Sequence, residues 1–190
     1  MGCLTTVISA RVADRGGLNY NGKGTTTMRY IMRERILSWG DDFTIKDADG
    51  RDAYYIDGKV FSFGDKLSFK DMDGNELALI DQKLLSIGPQ YEIIRGGATA
   101  AVVKKHLFSL FRARFTVDVP GPGDLEAKGD FLDHEYAFER DGREVARASK
   151  KWFSLADTYA LDIDAGEDDV LILASAVVID LVSHPDDKKG

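Results

Sequence analysis

The 190-residue sequence predicts a mainly β fold, a closed antiparallel barrel of about twelve strands around a central buried C-terminal helix. Three observations carry this expectation. A hairpin-sized unit of about 24 residues recurs along the chain, and each copy holds two strand-like runs. The last copy breaks off into one run that is apolar around most of its circumference.

The repeat shows first in five short phrases: Ile36-Leu37-Ser38, Val60-Phe61-Ser62, Leu84-Leu85-Ser86, Leu107-Phe108-Ser109 and Trp152-Phe153-Ser154. Arg35, Lys59, Lys83 and Lys151 precede four of them, and His106 precedes the other. The serines step by 24, 24, 23 and then 45 residues, so a decayed sixth copy is expected near Phe131-Leu132-Asp133. After each phrase comes a run of alternating apolar and polar residues, as in Phe43-Thr44-Ile45-Lys46 and Leu67-Ser68-Phe69-Lys70. Period-2 alternation marks a half-buried strand.

A turn phrase follows each such strand. Asp47-Ala48-Asp49-Gly50 and Asp71-Met72-Asp73-Gly74 are the clearest, with Arg95-Gly96-Gly97 and Arg140-Asp141-Gly142 later. Asp caps a turn through its side chain and Gly accepts positive φ, which is hairpin chemistry. Hairpin spacing on both sides favours turns over calcium loops, which need more oxygen ligands. A second strand then runs back, as at Ala53 to Ile56 and Glu76 to Ile80. With a first strand at Tyr30 to Ile36, the units total about twelve strands. Closure removes the two edges that an open sheet of this size would expose. A ring of this number is wider than its own side chains can fill, since roughly eight strands is that limit. Something must occupy the lumen.

Residues Asp168 to His184 supply it. Asp168 and Asp169 suit the positive end of a helix dipole, and Pro185 forbids continuation. At 100° per residue, Ser175, Asp180 and Ser183 fall within one arc of about 140°. Asp180→Asn on this polar arc is expected to be milder than a charge at Val177, which lies opposite it. The polar residues 185–190 are a tail.

Met1 to Thr27 lacks both periodicities and is rich in Gly and Thr. The expectation is a disordered or mis-started extension, dispensable for folding, with the patterned domain spanning 28–184. Met1-Gly2-Cys3-Leu4-Thr5-Thr6 also matches a short acylation pattern, of low specificity.

Composition narrows the function classes. A net charge of −7 argues against general nucleic-acid binding, which needs surplus Lys and Arg. Cys3 is the single cysteine, so no intrachain disulfide forms. Neither a secretory signal nor a spanning segment is visible, which makes a cytoplasmic protein the simplest expectation, with peripheral membrane attachment as the variant.

The phrases Met28-Arg29-Tyr30-Ile31-Met32-Arg33-Glu34-Arg35, Trp39-Gly40-Asp41-Asp42-Phe43-Thr44-Ile45 and Asp47-Ala48-Asp49-Gly50 resemble the LURP-one-related family, of tubby C-terminal-like fold. Lys59-Val60-Phe61-Ser62-Phe63-Gly64-Asp65, Lys83-Leu84-Leu85-Ser86-Ile87 and the apolar C-terminal run extend the resemblance. It implies a twelve-stranded barrel around a central helix. Tubby proteins bind phosphoinositides and phospholipid scramblases act at membranes, but no functional residue of either group matches a position here.

Candidate chemistry is sparse. Asp133, His134 and Glu135 are adjacent, yet strand neighbours point to opposite faces, so a solvated strand edge is expected. His106, His134 and His184 lie in different units, and no zinc spacing appears. No cofactor and no catalytic set is expected. Lys104, Lys105, Arg112 and Arg114 form the densest basic stretch and are the candidate surface for an anionic ligand. The fold class thus suggests a non-enzymatic binding or scaffold protein, whose partner is an anionic lipid or another protein. An enzyme with its site at a barrel mouth is the remaining alternative.

If the final helix is the core of the ring, ending the chain after Asp164 prevents folding, and Val177→Asp gives insoluble or unfolded protein. An unpaired buried charge costs several kcal/mol, comparable with a domain stability of roughly 5–15 kcal/mol. Thermal unfolding of the soluble fraction checks both; a cooperative transition in a chain lacking residues 165–190 would refute the architecture.

Overall fold

The computed structural model describes residues 17–20, 26–33, 42–58, 66–106, 114–121, 123–151 and 158–184. Thirteen strands and one helix follow one another. They are β1 (Gly17–Tyr20), β2 (Thr26–Arg33), β3 (Phe43–Asp47), β4 (Asp52–Asp57), β5 (Lys66–Asp71) and β6 (Glu76–Gln82). Next come β7 (Gln90–Arg95), β8 (Ala98–His106), β9 (Arg114–Asp118), β10 (Leu125–Asp130), β11 (Glu135–Arg140), β12 (Arg143–Ser149), β13 (Thr158–Asp164) and α1 (Asp169–Ser183). Each of β3 to β13 pairs antiparallel with the next, and β2 joins β13 on one side and β3 on the other. The result is the expected closed ring of twelve strands. Strand β13 meets β2 through seven residue pairs, whereas β2 meets β3 through Tyr30↔Asp47 and Ile31↔Lys46 alone.

The extension reading needs correction at this seam. Gly17–Tyr20 forms β1 and pairs with Thr26–Arg29 of β2, so Thr26 and Thr27 belong to the barrel and the patterned chain starts before Met28. Short β3 leaves the first half of β2's edge open, and β1 lies along it. Such pairing uses backbone groups, so it needs no side-chain periodicity that a sequence could display. Residues 1–16 lie outside the described residues, as does the tail 185–190.

Alternation along each strand sorts side chains as expected. Tyr30, Ile45, Ile56, Phe69, Ile80, Ile93, Phe115 and Phe138 point inward and are fully buried. Charged residues face outward and pair across strands, as in the two-bond Arg29–Asp162 contact at 2.7 and 2.8 Å. The Asp-x-Asp-Gly phrases are turns. Asp47 Oδ1 accepts from the Asp49 and Arg51 N–H groups, and Asp71 Oδ1 does the same for Asp73 and Asn75. Gly50 sits at φ 80°, where a side chain would be strained.

Helix α1 fills the lumen. Every residue from Leu171 to Val182 is buried, Val177 completely. Its start is held by charge. Asp168 caps it, accepting from the Leu171 N–H at 3.0 Å, and Arg95 grips the same carboxylate with bonds of 2.5 and 2.8 Å. Burial raises the pKa of Asp168, but Arg95 and the helix N–H groups outweigh it, so the carboxyl stays below its usual range. Beside it, burial pushes Asp169 up, against the bond that the Tyr30 hydroxyl donates at 2.8 Å. Arg140 and Arg143 hold Glu167 just before the helix.

Because β1 fills an otherwise open stretch of β2, a chain that starts at Met28 loses four backbone-paired residues and two residues of β2. Its melting temperature should fall by about 4–10 °C, the range for a few kcal/mol in a domain of this size. Calorimetry of the two chains checks this; identical transitions would show that β1 adds nothing.

Candidate functional site

The up-and-down order gives the barrel two unlike ends. Tight turns at 48–51, 72–75, 96–97 and 141–142 close the end where the helix begins. The other end carries the longer connections and the helix C-terminus. The Lys83-Leu84-Leu85-Ser86 phrase falls in a connection at this second end, and the other basic-apolar-apolar-Ser phrases lie largely outside the described residues. That connection, residues 83–89 between β6 and β7, is wholly described. Leu84, Leu85 and Ile87 there are 61%, 103% and 96% exposed. The segment is nevertheless tied. The Ser86 hydroxyl lies 2.8 Å from the carbonyls of Lys83 and Gly88, and the Lys83 N–H donates to the Gln90 carbonyl at 2.9 Å.

Below this end sits a buried polar cluster. Between β10 and β11 the chain turns through Phe131 to His134, with Asp130 Oδ1 accepting from the Leu132 and Asp133 N–H groups. Gly129 makes the close approach possible: a Cβ there would lie 2.4 Å from the Glu135 carbonyl oxygen. His134 ends the turn at φ 51°, a left-handed value, which swings its ring inward. The expected solvated strand edge at 133–135 is therefore wrong for His134. The residue precedes β11 rather than lying in it, and is 2% exposed.

Its partner comes from the helix. His134 Nε2 lies 2.6 Å from Asp180 Oδ1, and His184, one helical turn on, places Nδ1 3.2 Å from the same oxygen. The polar arc of α1 is thus buried as well: Asp180 is 2% exposed, and Ser175, fully buried, donates to the Leu171 carbonyl. His184 Nε2 faces the Leu132 carbonyl at 3.4 Å, and Nδ1 also faces the Asp180 carbonyl at 3.2 Å. With oxygen acceptors at both nitrogens, His184 is raised above its ordinary pKa, first by its bond to Asp180 and against the effect of burial. The ring of His134 lies against Tyr159 and His184, with centroids 4.4 and 5.1 Å away. Burial foremost, with the Asp180 charge, pushes the Tyr136 phenol up.

The basic stretch is distributed differently. Lys104 pairs with Asp118 at 2.5 Å and Arg114 pairs with Glu126. Lys105 lies 3.4 Å from the Val182 carbonyl and over the Phe115 ring, where its charge suits the helix C-terminus. Arg112 lies outside the described residues. The cations are therefore engaged with acids or with the helix end. No helix among the described residues is long and apolar enough to cross a membrane.

The pattern of the LURP-one-related family matches residues 28–180, most of the barrel and its helix. The chain belongs to the LURP-one-related family. The uncharacterised protein YxjI of Bacillus subtilis is 37% identical over 162 residues, covering 84% of this chain and 96% of that protein. A crystal structure of an Arabidopsis thaliana protein superimposes with a TM-score of 0.57 at 19% identity, over 86% of this chain and 96% of that one. At that identity the likeness establishes the shared fold. Strand β1 precedes the family match.

Asp180 now has a definite role to test. Asn keeps an acceptor for His134 but no charge for His184, whereas Leu strands both imidazoles. Asp180→Asn should cost about 1–3 kcal/mol and Asp180→Leu about 3–5 kcal/mol. Urea midpoints check the order; a leucine variant as stable as the parent would show that the cluster contributes no net stability.

Proposed function

We propose that this barrel is a non-enzymatic binding module whose working face is the end bearing the long connections. The carrying observation is the set of large apolar side chains held in solvent there. Leu84, Leu85 and Ile87 project from one tied segment, and Leu132, 65% exposed, stands on the turn above the polar cluster at the same end. Isolated exposed leucines are ordinary, but three within four residues on a hydrogen-bonded segment are a feature of interaction surfaces.

The non-enzymatic reading rests on access. His134 and Asp180 are spaced as a general base and its orienting acid would be, yet both are about 2% exposed, and each is used in holding the helix. A phospholipid surface is less favoured as the partner than a protein, because Lys104 and Arg114 already have acidic partners. An apolar face of a partner protein is the better match to Leu84, Leu85 and Ile87.

A photo-crosslinking side chain placed at Leu85 in the producing cell, with the same group at Met72, tests this directly. Met72 is 43% exposed on a turn at the opposite end, so it reports chance encounters. The expected result is a discrete protein adduct from position 85 and none from 72. Lipid adducts at 85 would transfer the face to a membrane, and equal labelling at both positions would remove the proposal.

A further inference from the structure

We propose that His134, Asp180 and His184 form a binding site for one zinc-class divalent cation, which pins the end of the central helix to the β10–β11 turn. This goes beyond the binding reading and does not depend on it. The donor set is two imidazole nitrogens and a carboxylate oxygen, all within 4.8 Å of one another. That set suits zinc and its neighbours rather than calcium or magnesium, which prefer all-oxygen ligands. Asp180 and His184 are four apart on one helix face, the spacing that lets two side chains reach a single ion. The third ligand comes from a chain segment 46 residues away.

Distances fit after a small adjustment. Tetrahedral zinc with bonds of about 2.0–2.1 Å sets neighbouring donors about 3.3 Å apart. His184 Nδ1 and Asp180 Oδ1 already stand at 3.2 Å, His134 Nε2 must withdraw from its 2.6 Å hydrogen bond by about 0.7 Å, and the two near-parallel imidazole rings, whose donors lie within 4.8 Å of each other, must tilt to converge on the ion. Access is from one side, since the His184 side chain is 14% exposed while the other two are closed off. The fourth position thus opens toward the barrel end, where water completes the set. On coordination the hydrogen of His134 Nε2 moves to Nδ1, a buried atom with no hydrogen-bond partner, and His184 Nδ1 releases its hydrogen to solvent while Nε2 keeps the one that faces the Leu132 carbonyl. Those costs make the site weaker, and more dependent on pH, than a closed four-ligand site.

The test uses the full chain, free of any purification tag and stripped with a chelator. Zinc is titrated calorimetrically and cobalt is followed by its visible absorption. The expected result is one saturable site per chain, a tetrahedral cobalt spectrum and a higher melting temperature with zinc. His184→Ala leaves the His134–Asp180 contact in place and should weaken zinc by about tenfold or more. His106→Ala, which removes an imidazole at the end of β8, should bind as the parent does. No saturable binding, an octahedral cobalt spectrum, or undiminished binding by a folded His184→Ala protein would overturn the proposal.

Discussion

The width of a twelve-strand ring is the constraint on which the rest of this structure depends. Inward side chains cannot meet across such a lumen, so the strands acquire a core only when something lies along the axis. Helix α1 does this with a surface that is aliphatic almost throughout, from Leu171 to Val182. An apolar helix in an apolar tube has little to fix its rotation or its depth. Those are set at its two ends, where strong directional contacts occur. Arg95, Tyr30, Arg140 and Arg143 hold the acidic start, and His134 with Leu132 holds Asp180 and His184 at the finish.

The two anchors are built differently. At the start, partly exposed guanidinium groups meet carboxylates at a helix N-terminus, where the dipole favours negative charge. At the finish, a carboxylate is buried in the helix against the dipole, where its imidazole neighbours offset the cost of that burial. Buried polar groups of this kind define one arrangement among many that aliphatic packing would allow. This second anchor lies directly beneath the end where Leu132 and the 83–89 segment reach solvent. The chemistry and the exposed surface are therefore on the same side of the molecule.

The barrel was legible in the sequence because period-2 alternation, Asp-Gly turns and a repeat each report the same hairpin. The helix was legible from Asp168 and Pro185 at its bounds. The polar cluster was not, because its members are brought together by a turn whose shape is invisible to periodicity. His134 sits where alternation would put it on a strand, yet Gly129 and a left-handed φ rotate it into the lumen. One signal was available: Asp180 is the sole acid inside an otherwise apolar run, and a lone buried acid demands a partner. His184, four residues on, was half of the answer. Strand β1 was missed because an edge strand of Gly17, Leu18, Asn19 and Tyr20 carries no pattern of its own, and its place is dictated by the shortness of β3.

The unequal bonding around β2 also orders the birth of the molecule. Strand β2 emerges early from the ribosome, but its long partner, β13, lies more than 120 residues later, and the helix follows β13 directly. Until that final segment is made, the nascent sheet is a curling ribbon with an uncovered greasy concave face. Contacts so distant in sequence slow folding and prolong that exposure. The two-pair junction between β2 and β3 is the weakest joint in the ring, and it is the natural place for the ribbon to stay parted while the helix is laid in.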